Sequence, residues 1–368
     1  MRVPFVDLRA QYQAIRGEVD AAIRSVLEET AFVGGRFVRE FETAFADYLG
    51  CRACIGVGNG TDALTIVLRC LGVGPGDEVI VPVNTFIASA EAVSSCGATV
   101  VLCDVDSTTE TLDPGRVRER LSGRTRALLP VHLYGRVAAM DELGAIARDH
   151  GLLVVEDAAQ AHGARLGGRA AGTMGVAGCF SFYPGKNLGA YGDAGAVVTD
   201  DERLAERVRM HANHGRLAKY EHEFEGVNSR LDGLQAAVLS VKLAHLAQWT
   251  DQRYHHARLY DRLLAGLAEV QRPALPQPGE HVFHLYVVRV PRRDELRAFL
   301  TERGVGSGVH YPRTLATLPA YQHLGYRPEE FPVASADQDR VLSLPMYPEL
   351  DEEQIGYVVD CLRAFYGG

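Results

Sequence analysis

Between residues 60 and 200 the chain repeats one pattern: short apolar runs, none alternating strictly with polar residues, separated by stretches with helical spacing. The runs fall at 79–81, 99–102, 127–131, 152–155 and 195–198. A strand exposed to water on one face alternates apolar with polar residues, whereas a strand covered on both faces has no polar side. Parallel neighbours also need a crossover of a dozen or more residues, usually a helix. The intervening stretches 60–72, 86–96 and 140–150 supply helices, the first with Ala63, Leu64, Val67 and Leu68 on one stripe. This pattern predicts an α/β fold with a mostly parallel sheet sandwiched by helices.

Around that block the periodicity changes. Residues 6–29 and 38–49 read as two N-terminal helices, and 231–267 as a long one, with no Pro or Gly between Gly233 and Gly266. The segment QRPALPQPGE then breaks the pattern. Beyond it a strand at 285–290 and helices at 294–303 and 352–365 suggest a smaller C-terminal α+β domain. The expected division is 1–250 for the large unit and 251–368 for the small one, with the boundary at the proline-rich segment or slightly earlier, inside the long helix.

Charge and cysteine content narrow the function classes. With 38 Lys and Arg against 47 Asp and Glu, the net charge is −9. A nucleic-acid backbone is a poor match for that balance, and any anionic ligand needs a local set of donors. No apolar run approaches the roughly 20 residues of a membrane span. The opening MRVPFVDLRAQYQAI carries Asp7, Arg9 and Gln11 where a secretory signal needs an unbroken apolar core, so a cytoplasmic location is expected. Seven cysteines spread over the chain argue against a disulfide framework. Cys51 and Cys54 form a C-x2-C pair, but the second half of a zinc site is missing, so no metal is expected.

Three clusters can carry chemistry. In IGVGNGTDAL, Gly56 and Gly58 match the start of a dinucleotide fingerprint, but Thr61 occupies its third glycine position and Asp77 and Glu78 precede the next strand instead of ending it. What survives is a helix opened by Gly60, Thr61 and Asp62, whose free N–H groups and dipole favour a phosphate; a plain N-cap by Asn59 or Thr61 is the alternative. In LLVVEDAAQAHGA, Asp157 lies just past the carboxyl end of a buried strand, where open α/β sheets bind ligands. It suits a ring nitrogen, with Gln160 close behind, or else it caps a helix. In CFSFYPGKNLGAYGDAGAVV, Lys186 is framed by apolar and glycine-rich backbone. Desolvation disfavours its charged form, and a neutral amine attacks carbonyls.

Together these fit pyridoxal 5'-phosphate, which needs a phosphate cradle, an imine-forming lysine, an acid at the pyridine nitrogen and a surface against the ring. The order Gly60-Thr61-Asp62, Phe86, Asp157, Gln160, Ser181, Lys186 supplies them within one domain.

With these blocks in view the chain resembles the DegT/DnrJ/EryC1/StrS family of sugar aminotransferases, within the fold-type I pyridoxal-phosphate enzymes. The resemblance runs from PFVDLRAQY through NGTDAL, GPGDEVIVPVNTF, EDAAQAHGA, FSFYPGKNLGAYGDAGAVVT, NHG and GVNSRLDGLQAAVL to VHYP. It implies that Lys186 is the Schiff-base lysine, Asp157 the pyridine-nitrogen partner and Gln160 a contact to the ring hydroxyl. Phe86 would stack on the ring; Gly60, Thr61, Asp62 and Ser181 would hold the phosphate. Asn228 matches an asparagine that, in the family, reaches the phosphate in the neighbouring subunit, so a homodimer with shared active sites is implied. The implied reaction moves an amino group from an amino acid, L-glutamate first, through a pyridoxamine 5'-phosphate form to a nucleotide-linked keto-sugar. Lys219, Arg230, His310 and Arg313 are candidates for the diphosphate, and Tyr311 for the sugar or for plain packing. The blocks YPGKNLGAYGDAGAVV and EFEGVNSRLDGLQAAVL lean toward members that aminate a 3-keto-6-deoxyhexose. Amination of a 4-keto sugar, a keto-inositol or a 2-acetamido-3-keto-uronate stays open. Retention of Lys186 sets the chain apart from relatives that carry histidine there and act as dehydratases, and the rival without turnover is a cofactor-binding regulator.

Overall fold

A computed structural model describes residues 1–367. Seven strands form the central sheet: β1 (Ala53–Val57), β2 (Glu78–Pro82), β3 (Thr99–Cys103), β4 (Thr125–Leu128), β5 (Leu153–Asp157), β6 (Ala177–Ser181) and β7 (Gly195–Thr199). Their order across the sheet is β1-β7-β6-β5-β4-β2-β3. The pairs β2–β3, β2–β4, β4–β5 and β5–β6 are parallel. The 195–198 run differs: β7 lies antiparallel to both β6 and β1. The link from Ser181 to Gly195 contains no crossover helix, so the chain reverses without crossing the sheet.

Helices cover both faces. α1 (Leu8–Glu29) and α2 (Gly35–Leu49) pack with the long α8 (Gly233–Leu264) on one side. There Phe41 and Phe45 of α2 meet Phe180 and Phe182 edge to face, all four fully buried. On the other side α3 (Gly60–Cys70) and α4 (Ile87–Ser95) bury Leu64, Val67 and Val93 against Val79, Val81 and Val100 of the sheet. Each such side chain contributes about 1.5–3 kcal/mol by leaving water. α5 (Pro114–Arg120), α6 (Met140–His150) and α7 (Glu202–His211) complete the shell.

The C-terminal part pairs β8 (Tyr286–Arg289) with β9 (Val341–Leu344) and packs them against α9 (Arg293–Glu302) and, beyond the short α10 (Pro332–Asp337), α11 (Glu352–Tyr366). α8 runs unbroken through residue 250, and its second half lies in this C-terminal core. Val3 lies in that core too, bridged to Val305. Among the described residues no helix is long and apolar enough to cross a membrane.

Candidate active site

The carboxyl ends of β1, β2, β5 and β6 and the start of α3 frame a cleft of about 830 Å³, closed on the far side by Phe5, Arg253, His284, His310, Tyr311 and Met346. Two glycines let its elements approach closely. A Cβ on Gly60 would stand 2.7 Å from Ser181 Cβ, and one on Gly195 would collide with the Asn59 carbonyl. The amino end of α3 is thereby seated on the ends of β6 and β7. First-turn amides have no partner within their helix. Asn59 Oδ1 accepts the Asp62 N–H at 2.8 Å, which leaves those of Gly60 and Thr61 for an anion. Asp62 reaches the cleft, but its carboxylate accepts from Ser229 Oγ at 2.6 Å, and the same hydroxyl accepts the Gly58 N–H at 2.9 Å. Asp62 therefore steadies the cradle by holding Ser229.

Successive residues of β5 point to opposite faces, and the two acids there do different work. Glu156 is fully buried and accepts the N–H groups of Gly172, Met174 and Gly175 at 2.8, 2.6 and 2.5 Å. His132 Nδ1 accepts the Ala138 N–H, which puts the proton on Nε2, 2.8 Å from Glu156. With four donors that carboxylate is saturated. Asp157 faces the cleft, 5% exposed. Ser89 Oγ donates to its Oδ2 at 2.7 Å and the Ala159 N–H to its Oδ1 at 3.1 Å, so the carboxylate is held in one orientation.

Lys186 follows a turn closed by its own N–H donating to the Tyr183 carbonyl at 2.8 Å. Its half-buried side chain lines the cleft. Burial pushes its pKa down to about 8, and the charge of Asp157 opposes only part of that shift. The histidines nearby are kept neutral: burial and then the Lys186 charge lower His310 to about 4 and His162 to about 3, and hold His284 well below its usual range. Phe86, at the start of α4, is 54% exposed and offers a ring face to the cleft, 5.6 Å from the ring of Tyr311. Gln160 Oε1 accepts the Tyr134 N–H at 2.6 Å, so its amide hydrogen is directed at Tyr311 Oη, 3.2 Å away. His310 Nδ1 meets Ser343 Oγ at 2.8 Å and its ring stacks on Phe5.

Of the residues singled out from sequence, Gly60, Thr61, Asp62, Phe86, Asp157, Gln160, Ser181, Lys186, His310 and Tyr311 line this one cleft. Four do not. Lys219 is exposed on a hairpin formed by Arg216–Ala218 and Glu221–His222, while Asn228 and Arg230 are exposed just after it. Arg230 donates to Asn213 Oδ1 at 3.2 Å. Arg313 borders a separate small cavity beside Asn84 and Glu110. Sequence reasoning missed Phe5, Ser89, Arg253, His284 and Met346. Ser89 was within reach, one helical turn beyond Phe86; Arg253 sits in a helix that carries no signal. Among the described residues no cluster of three or more His, Cys, Asp or Glu side chains could hold a metal, and Cys51 and Cys54 are free thiols.

The cleft fits pyridoxal 5'-phosphate: open helix amides, an oriented buried carboxylate, an amine that loses its proton easily and an exposed aromatic face. Comparison with known proteins agrees. Residues 13–363 match the DegT/DnrJ/EryC1/StrS aminotransferase family. A dTDP-3-amino-3,4,6-trideoxy-α-D-glucose transaminase of Streptomyces venezuelae is 50% identical, over 98% of this chain and 96% of its own. A protein of Geobacillus stearothermophilus named a pleiotropic regulatory protein is 45% identical, over 100% and 99%. The crystal structure of S. venezuelae DesV in complex with a ketimine intermediate superposes with a TM-score of 0.96 at 49% identity, covering 99% of this chain and 98% of that one.

Proposed function

Because the chain belongs to the DegT/DnrJ/EryC1/StrS aminotransferase family and is a pyridoxal-phosphate-dependent sugar aminotransferase, we propose that its acceptor is a nucleotide-linked 3-keto-6-deoxyhexose and its donor L-glutamate. The observation that carries the amino transfer itself is the pairing, in one cleft, of the Lys186 amine with the fixed carboxylate of Asp157. The preference for a 3-keto sugar is supported by the S. venezuelae transaminase.

When bound, the cofactor supplies an aldehyde carbon that holds the amino group in transit and a ring that takes up the electron pair left when the Cα–H bond breaks. The residues of this chain would do the rest. The amides of Gly60 and Thr61, with the Thr61 and Ser181 hydroxyls, hold the phosphate. Asp157 keeps the ring nitrogen protonated, Gln160 meets the ring hydroxyl and Phe86 covers the ring. Lys186 Nζ takes the proton from the donor's α-carbon and delivers it during amine transfer; a base near pKa 8 is well matched to that exchange at neutral pH. We further propose a cytoplasmic homodimer. Lys219, Asn228 and Arg230 are exposed outside their own cleft, which suits delivery to the cleft of a second copy, with Asn228 reaching its phosphate and the cations its diphosphate.

A regulator without turnover is the second reading, favoured by the name of the Geobacillus relative. An amine whose pKa is lowered to about 8 beside a carboxylate favours chemistry. The two separate when nucleotide-linked 3-keto, 4-keto and uronate acceptors are generated in place and offered with L-glutamate. The expected result is steady release of 2-oxoglutarate with a 3-amino sugar as product. A protein that binds the coenzyme and releases no 2-oxoglutarate with any acceptor would overturn the proposal.

A further inference from the structure

One guanidinium lines the cleft, that of Arg253 on α8. The side chain is buried, with 4% of the residue exposed. Its Nη1 donates to the Phe283 and Met346 carbonyls at 3.1 and 2.8 Å, which fixes the plane of the group. Its Nε is sealed from solvent without a partner. Nη2 has no hydrogen bond among the described residues and is not among the sealed atoms, so it is the nitrogen left facing the cleft. Arg253 forms no ion pair among the described residues; the charge of Glu349 is the acidic influence on it, and burial lowers its pKa only to about 10, so it stays cationic at neutral pH. His284 feels both basic groups: its imidazole is held neutral by burial and by the charges of Lys186 and Arg253, and its Nδ1 faces Asn187 Oδ1 at 3.2 Å.

A buried cation with an uncommitted donor is costly until an anion meets it. We infer that Arg253 Nη2 binds the α-carboxylate of the amino-acid donor, an inference that rests on the aminotransfer proposed above. The carboxylate is one bond from the carbon whose proton Lys186 moves, so its partner must border the same cleft as that amine, as Arg253 does. A single open nitrogen in a fixed plane suits one carboxylate oxygen. A diphosphate, with more charge and more oxygens, calls for several donors. In the acceptor half of the cycle the same N–H faces a neutral sugar oxygen, a bond roughly half as strong as the charge-assisted one. Arg253 thus sets the preference for α-amino acids over simple amines without blocking the sugar.

The test uses single turnovers of the holoenzyme with L-glutamate and with 4-aminobutanoate, which lacks a carboxylate on the reacting carbon. Arg253→Gln and Arg253→Lys should each lower kcat/KM for L-glutamate about 100-fold, chiefly through KM, as expected when one side of a buried charged contact is removed. The same variants should change the 4-aminobutanoate rate less than about threefold and the keto-sugar half-reaction less than about tenfold, because neither involves the carboxylate. Equal losses with both amines would mean that Arg253 only braces the Phe283 and Met346 carbonyls, and would overturn the inference. If the variants do not fold, or 4-aminobutanoate reacts too slowly to time, a crystal structure of the wild-type pyridoxamine-phosphate form with 2-oxoglutarate decides. The C1 carboxylate is expected within hydrogen-bond distance of Nη2, and a C1 carboxylate elsewhere would overturn the inference. Failure of the aminotransferase reading has a different signature: the wild-type protein then converts neither amine.

Discussion

Two amines, one half-buried at a cleft and one fully buried in a helix, have been pushed to the same proton affinity in different surroundings. The chain has three lysines, Lys186, Lys219 and Lys242. Burial lowers Lys186 to about 8 and Lys242 to about 8 as well. Lys242, 1% exposed in the first half of α8, donates to the Gly189 carbonyl at 2.7 Å and lies 4.4 Å from the ring centroid of Tyr191. It pins the loop that follows Lys186 and has no open space before it. Lys186 borders a cleft, faces an oriented acid and lies beside three imidazoles kept neutral. A depressed pKa marks burial; access and partners make it chemistry.

The contrast breaks first at Lys186. Lys186→Ala should reduce steady-state turnover by at least about 10⁴-fold, the scale of deleting a covalent catalyst, while circular dichroism and thermal midpoint stay native or better. Multiple turnover by that variant would remove the distinction between the two lysines. Asp157→Asn, which keeps the shape and drops the charge, should cost about 10²- to 10³-fold in kcat with the coenzyme still bound. A loss below about threefold would show that the ring nitrogen does not depend on this acid.

The pH dependence sharpens the comparison. Only the neutral amine condenses with an aldehyde, and lowering a base's pKa enlarges its neutral fraction at any pH below that pKa. Capture of pyridoxal phosphate by the cofactor-free protein should therefore rise about tenfold per pH unit up to about 8 and level off above it. A rate still climbing toward 10.5 would mean that Lys186 is an ordinary solvated lysine. The smallest effect on catalysis is expected at Lys242. Lys242→Met leaves the Gly189 carbonyl without its donor and should cost about 2 kcal/mol in stability, read as a lower denaturation midpoint, with kcat within about threefold of wild type.

The cleft divides along similar lines in what its sequence reveals. Asp157, Ser181 and Lys186 sit at strand ends or just past them, and Gly60 opens a helix; their position relative to a local apolar run is enough to mark them. Arg253, His284 and Met346 come from the C-terminal part and reach the cleft only through packing of α8 against β8 and its neighbours, which no local pattern encodes. The direction of β7 escaped for a related reason: its apolar run reads the same both ways, and the turn after Lys186 reverses it. The sheet also gained β1 and β6, read from sequence only as a glycine cluster and an apolar lead-in to Lys186. Lys219, Asn228, Arg230 and Arg313 rested on type and resemblance alone. Being exposed, they report on what a single chain leaves uncovered.

On the proposed function the amine at 186, and not its equally acidified counterpart in α8, carries the coenzyme. Borohydride reduction of the holoprotein followed by peptide mapping tests it directly, because three lysines give three distinguishable products. One pyridoxyl group per chain is expected, on the peptide containing Lys186, with Lys219 and Lys242 unmodified. A label on Lys242 or Lys219, or no label on a protein that has taken up the coenzyme, would contradict it.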